Sequence, residues 1–156
     1  MVPDDYRAVL RRHASSVVVV TAMGDQPAGT TVTSFTAVSL HPPLVLFCVD
    51  RTASAWPVLE VAGHVGVHIL RAGQEQLART FATHGADRFG PATAWHRGPH
   101  GVPLLDGPLA YLVGRVEQRL AAGDHTIVIA EALVGGYAPG DEPALVYHRG
   151  RYVSLP

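Results

Sequence analysis

The chain contains no lysine; all twelve of its basic residues are arginine. That excludes mechanisms built on a Schiff-base lysine or on the lysine of a P-loop. Cysteine is nearly absent too. Cys48 stands alone, so no disulfide can form within the chain. A cytoplasmic location is the expectation, although a secreted cysteine-poor protein would have the same composition. Charged residues make up only 16% of the chain, with a formal net charge of -1. No basic stripe of the kind that tracks nucleic acid stands out. The most apolar run, "VVVVTAM", falls far short of the roughly 20 residues a membrane span needs. The opening "MVPDDYRAVLRRHASS" has two aspartates and no apolar core, so it does not read as a secretory signal.

What remains is a globular composition. With 156 residues and 47% hydrophobic content, the chain fits one domain over 1–156 that buries a core without staples. Residues 4–14 read as a short helix, started by Asp4 and Asp5. "SSVVVVTA" (15–22) reads as a buried strand ended by the turn "GDQPAG". Residues 29–40 alternate as one strand, and "PLVLFCV" (43–49) follows as a strand too apolar to face water on either side. Helices are predicted over "TASAWPVLEVAG" and "GQEQLARTFATHG", with the strand "HVGVHIL" (64–70) between them. Residues 86–107 read as loop, and strands are expected at about 108–119, 125–134 and 144–153. Strands this closely spaced do not alternate with helices as a parallel sheet requires. The fold class is therefore mainly β: an antiparallel barrel with peripheral helices, closure removing the edges of such apolar strands.

The most unusual stretch is "TVTSFTAVSLHPPLVLFCVDRTASAW" (31–56), which packs Thr31, Thr33, Ser34, Thr36 and Ser39 into a few positions. A packed core has little use for so many hydroxyls. In "RTASAW", Arg51, Thr52 and Ser54 enter a predicted helix, where hydroxyls and free N–H groups suit a phosphate. Thr52 or Ser54 acting as a simple helix cap explains the same residues.

Other motifs are ambiguous or missing. There is no GxGxxG after a strand, no GxxxxGK[ST] and no GxSxG, which removes the Rossmann, P-loop and nucleophile-elbow readings. His64 and His68 share a face on a strand but have no third ligand nearby, so no metal site is expected. "GDH" places Asp124 beside His125 at a turn, where the carboxylate orients the imidazole, or where both are ordinary turn residues. "YHRGRY" (147–152) is either a clamp for a planar anion or a hairpin end.

Taken in order, "SSVVVVTA", "GTTVTSFTAVSLHPPLVLFCVDRTASAW", "HVGVHIL", "QEQLARTFA", "DRF", "GVPLLDGPLAYLVGRVEQ", "GDHTIVIAEAL" and "PALVYHRGRY" resemble the flavin reductase family over nearly the whole chain. These are the small reductase components of two-component flavin-dependent monooxygenases. The resemblance implies an FMN-binding split β-barrel, Greek-key-like, that binds FMN or FAD as a homodimer. It further implies hydride transfer from NADH or NADPH to flavin N5 and delivery of reduced flavin to a partner monooxygenase.

Carried over position by position, Thr31, Val32, Thr33, Ser34, Phe35 and Ser39 would line the isoalloxazine, through backbone as much as side chains. Cys48, Asp50, Arg51, Thr52 and Ser54 would run past the ribityl chain to the phosphate, and Arg88 and Phe89 of "DRF" would meet the outer part of the cofactor. His125, with Asp124, would position the nicotinamide, and Tyr152 would lie in the same region. The family commonly has Met and Asn where this chain has Thr30 and Thr33. Two other functions fit the resemblance: an enzyme with tightly bound FMN acting on an organic substrate, and a flavin-binding dimer without turnover.

Overall fold

Runs of β-branched residues set the architecture. The computed structural model describes residues 1–155. It opens with α1 (Pro3–Leu10), then β1 (Ser15–Ser16), β2 (Val18–Met23), β3 (Pro27–Val32), β4 (Thr36–Leu40) and β5 (Pro43–Asp50). A short α2 (Trp56–Leu59) leads to β6 (His64–Ile69) and α3 (Glu75–Ala82). The small strands β7 (Trp95–Arg97) and β8 (Pro103–Leu105) come next. A long hairpin, β9 (Ala110–Ala122) and β10 (His125–Tyr137), and a short one, β11 (Leu145–His148) and β12 (Arg151–Ser154), complete it.

Seven strands form one antiparallel sheet in the order β3-β2-β6-β9-β10-β5-β4. Its two outer strands, β3 and β4, are joined by residues 33–35 alone. So short a link spans only about 10 Å at full extension, so the sheet must curl until its edges meet. The result is the expected antiparallel barrel, split where β3 and β5 face each other without a ladder.

β2 is buried on both faces. Val18, Val20 and Ala22 point into the barrel with Phe47, Val49, Val65, Val67 and Val128. Val17 and Val19 point outward, where Leu70, Ala78, Phe81, Leu105 and Leu145 cover them. Each such side chain contributes about 1.5–3 kcal/mol by leaving water. α2 closes one end of the barrel with Trp56 and Leu59. Arg119 of β9 reaches across to donate to the Leu59 carbonyl at 2.9 Å, which satisfies the end of that helix.

Several elements differ from the sequence expectations. The single strand over 29–40 is two strands that pair with different neighbours, β2 and β5. β5 is not buried on both sides: alternate residues from Leu44 to Asp50 remain half-exposed. The helix over 52–63 shrinks to Trp56–Leu59. The loop of 86–107 contains the hairpin β7–β8. The strand over 144–153 is a hairpin turned at Arg149 and Gly150, both with positive φ (51° and 78°). That left-handed pair is the twist a two-residue hairpin turn requires, which gives "YHRGRY" its place in the fold.

β6 also explains its odd composition. A Cβ at Gly66 would lie 2.5 Å from the Thr21 hydroxyl, which itself donates to the Pro103 carbonyl at 2.6 Å. His68 is fully buried, with Nδ1 3.0 Å from the Val19 carbonyl and Nε2 accepting the Leu105 N–H at 3.0 Å. Both bonds require a neutral ring with its proton on Nδ1. His68 thus pins β2, β6 and β8 together, while His64 on the same face stacks on His100 at 4.1 Å.

Candidate functional site

The split in the barrel opens into a cavity of about 210 Å³. Thr30 to Ser34 form one wall, Cys48 to Asp50 and Ala53 the other, and His125 stands on the rim. β3 is an edge strand, so half of its backbone N–H and C=O groups face outward without a strand partner.

The hydroxyls that marked this stretch are mostly engaged within the protein. Thr31 donates to the Ala78 carbonyl of α3 at 2.7 Å. Ser34 accepts the Cys48 N–H at 2.8 Å and donates to the Cys48 carbonyl at 3.2 Å, so one side chain bridges the split. Ser39 donates to the Pro42 carbonyl out on β4 and does not line the cavity. Phe35 packs against the barrel interior, and Val32 is buried in it, offering the cavity its backbone. Thr33 lines the cavity with no side-chain hydrogen bond among the described residues. The polar character of this wall is chiefly main-chain.

The segment after β5 is organised by Asp50. Its carboxylate accepts the Thr52 N–H at 2.7 Å and the Thr52 hydroxyl at 2.8 Å. The backbone bond from Thr52, then its hydroxyl, hold the Asp50 pKa below the usual carboxylate range. Arg51 turns away from Ser54. Its guanidinium donates to the carbonyls of His125, at 2.9 Å, and Gly123. It therefore clamps the β9–β10 turn to the end of β5. On that turn the Asp124 carboxylate lies 2.6 Å from His125 Nδ1, and this contact depresses the Asp124 pKa. His125 Nε2 is left without a partner among the described residues.

A second, larger cavity of about 650 Å³ adjoins the first, sharing β3 at Gly29–Thr30 and the turn at Ala53–Ser54. Arg88 lies in its wall, donating to the Ser54 hydroxyl at 2.6 Å and to the Thr83 carbonyl at 3.0 Å. Its Nε is buried with no partner among the described residues, and burial pushes the guanidinium pKa down. A cation that is partly desolvated, lacks a carboxylate and faces a hydroxyl is an anion receptor. Phe89 supports this wall edge-on between Phe81 (5.2 Å) and Trp95 (5.5 Å).

Tyr152 is not brought to His125. Its ring packs on Tyr147 at 5.2 Å, with Arg79 4.9 Å above it, on the α3 side of the fold. The structure adds residues that sequence reasoning missed: Thr30, Val49 and Ala53 in the first cavity, and Trp95 and Arg97 in the second. The last two lie in the stretch read as loop, where no periodicity marked them.

Two joined hollows, one edged by free backbone groups and the other carrying an unpaired arginine, suit a planar heteroaromatic with a phosphorylated tail. The comparisons agree. The chain is 40% identical over 152 residues to the NADH:FMN oxidoreductase of Rhodococcus qingshengii, covering 95% of this chain and 79% of the relative. It is 38% identical over 149 residues to the reductase component of 4-nitrophenol 4-monooxygenase/4-nitrocatechol 2-monooxygenase of Rhodococcus opacus, covering 95% and 78%. Its fold superposes with a TM-score of 0.92 and 36% identity on the NADH:FAD oxidoreductase of Streptomyces globisporus, solved in complex with NAD and FAD fragments, covering 100% and 96%. Residues 10–156 match the flavin reductase like domain, and the chain belongs to that family.

Proposed function

We propose that this chain is an NADH:flavin oxidoreductase that supplies reduced flavin to a partner monooxygenase. The observation that carries the reading is the unpaired, half-desolvated Arg88 at the junction of the two cavities. It demands an anion, and the cavity beyond it offers the slot for the ring. A flavin held there takes up a hydride from NADH, with a proton from solvent, and leaves as the two-electron-reduced form.

The chain's own part is binding and orientation. Outward N–H groups of β3 and the 33–35 link face the pyrimidine edge, where they stabilise the negative charge that develops on reduction. Arg88 and Ser54 hold the phosphate. His125, with Nδ1 fixed by Asp124, presents Nε2 to the nicotinamide. It orients the donor and abstracts no proton, because hydride transfer needs no base.

The active unit we infer is a homodimer. α1 buries none of its residues, and Val2, Tyr6, Val9 and Leu10 are all exposed along it. β4 is an edge strand exposed at every position, Val38 and Leu40 included. Apolar surface of this extent calls for a protein cover, and a second copy provides it on both sides at once. No helix among the described residues is long and apolar enough to cross a membrane.

Anaerobic mixing of the protein with FMN or FAD and NADH tests the reading. The flavin absorbance bleaches at a rate that saturates with NADH. Absence of bleaching with either flavin, and with NADPH in place of NADH, overturns it.

A further inference from the structure

The larger cavity is bigger than the ligand group assigned to it so far. Ser54 and Arg88 suffice for the single phosphate of FMN, yet they occupy one side of a hollow of about 650 Å³. A space of that size lies within the range that encloses a whole drug-sized ligand. It continues from the phosphate site between the β2–β3 turn (Asp25–Pro27) and the segment 85–97.

The far wall carries the chemistry of a nucleotide site. Arg97 of β7 lines it, is exposed, and forms no ion pair among the described residues. Trp95, two residues earlier on the same strand, is half-buried and buttressed edge-on by Phe89 at 5.5 Å, with an interplanar angle of 80°. That contact leaves the indole face available for stacking. Asp25 and Asp87 supply acceptors of the kind ribose hydroxyls seek. A second cation, an aromatic face and carboxylate acceptors are what a second phosphate, a purine and a ribose require, and FMN has none of these groups.

We propose that this chain takes FAD in preference to FMN, seating the AMP half in the larger cavity with Arg97 on its phosphate and Trp95 against the adenine. The inference rests on the flavin reading above. NADH also carries an AMP half, so the same chemistry has two possible sources. The continuity of this hollow with the ring slot, through Ser54 and Arg88, favours the flavin's.

Equilibrium titration with FMN and with FAD, without nicotinamide, is the test. Wild-type protein binds FAD at least about tenfold more tightly than FMN. Arg97→Ala, an exposed change on a strand that it does not help to pack, raises the FAD Kd about tenfold, the loss expected for one charge-assisted hydrogen bond. The FMN Kd moves by less than about twofold. Trp95→Phe retains the packing on Phe89 and lowers FAD affinity alone, by a smaller factor. Equal affinities for the two flavins in the wild type overturn the proposal, as does an Arg97→Ala effect of the same size on both. An effect of Arg97→Ala confined to the KM for NADH, with FMN as acceptor, assigns the hollow to the nicotinamide dinucleotide and equally overturns it. Failure of the wild type to bind either flavin is a different result, and defeats the underlying flavin reading instead.

Discussion

The Ser34 hydroxyl exchanges two hydrogen bonds with one residue, accepting from the Cys48 N–H at 2.8 Å and donating to the Cys48 carbonyl at 3.2 Å. A side chain thus does what a neighbouring strand would do, at the one place where the barrel has no ladder. It holds β5 to the 33–35 link while leaving the edge of β3 open to a ligand.

Removing that bridge is the first test. Ser34→Ala leaves two half-buried backbone groups of Cys48 unmatched and destabilises the protein by about 1–3 kcal/mol. Cys48→Ser leaves the bridge intact, because it uses only the backbone of residue 48. Thermal unfolding of the two variants, with flavin titrations, shows Ser34→Ala losing stability and flavin affinity and Cys48→Ser near wild type in stability.

Arg88 reads the phosphate and not the ring. Arg88→Met therefore weakens FMN by about tenfold or more, the usual loss for a charge-assisted pair, while riboflavin, which has no phosphate, is unaffected. Arg88→Lys restores little, since a point charge cannot serve Ser54, Thr83 and a phosphate at once. Parallel titrations with riboflavin and FMN separate these outcomes. A proportional loss for both ligands assigns Arg88 to scaffolding alone.

His68 makes folding sensitive to acid. Burial is the main cause that lowers its pKa from 6.5 to about 4. The folded form therefore resists a proton that the unfolded chain accepts. The stability that the neutral ring contributes is complete above pH 6.5 and falls as pH drops towards 4, by about 3 kcal/mol in all. Asp50 and Asp124 have pKa values lowered from 3.8, so their contribution is lost only below that window. Urea midpoints measured from pH 7 to 4.5 fall steadily in the wild type. In His68→Gln, which keeps a donor and an acceptor but does not titrate, the slope flattens.

At the rim, His125→Ala raises the KM for NADH about tenfold, as loss of an orienting contact does, and leaves the flavin Kd within about twofold. Asp124→Asn acts in the same direction more weakly, because it only loosens the tautomer that the carboxylate fixes. Steady-state kinetics with varied NADH at saturating flavin distinguish these from a change in chemistry, which would lower kcat alone.

Much of this was legible in the residues. The β-branched run at 17–20 announced a strand buried on both faces, and the hydroxyl-rich stretch marked the cavity wall. Its reason was less visible: Thr31, Ser34 and Ser39 spend their hydroxyls on Ala78, Cys48 and Pro42, partners remote enough in sequence, in the first two cases, that no spacing predicts them. Arg51 looked like a phosphate ligand because it precedes a Ser/Thr turn, but the nearby carbonyls of Gly123 and His125 claim it. Gly66 was unreadable until the Thr21 hydroxyl was found in the space its Cβ would fill. Trp95 and Arg97 lay in a stretch without periodicity, where a three-residue strand leaves no pattern.

The grip of Arg51 on the β9–β10 turn has a thermodynamic corollary. The same few residues carry the Asp50–Thr52 turn, the approach to Ser54 and the anchor of His125. Tightening them from the phosphate end stiffens the perch of the imidazole, and stiffening the perch tightens the phosphate end. Linkage makes that exchange reciprocal: whatever factor bound flavin lends to nicotinamide affinity, bound nicotinamide must return to flavin.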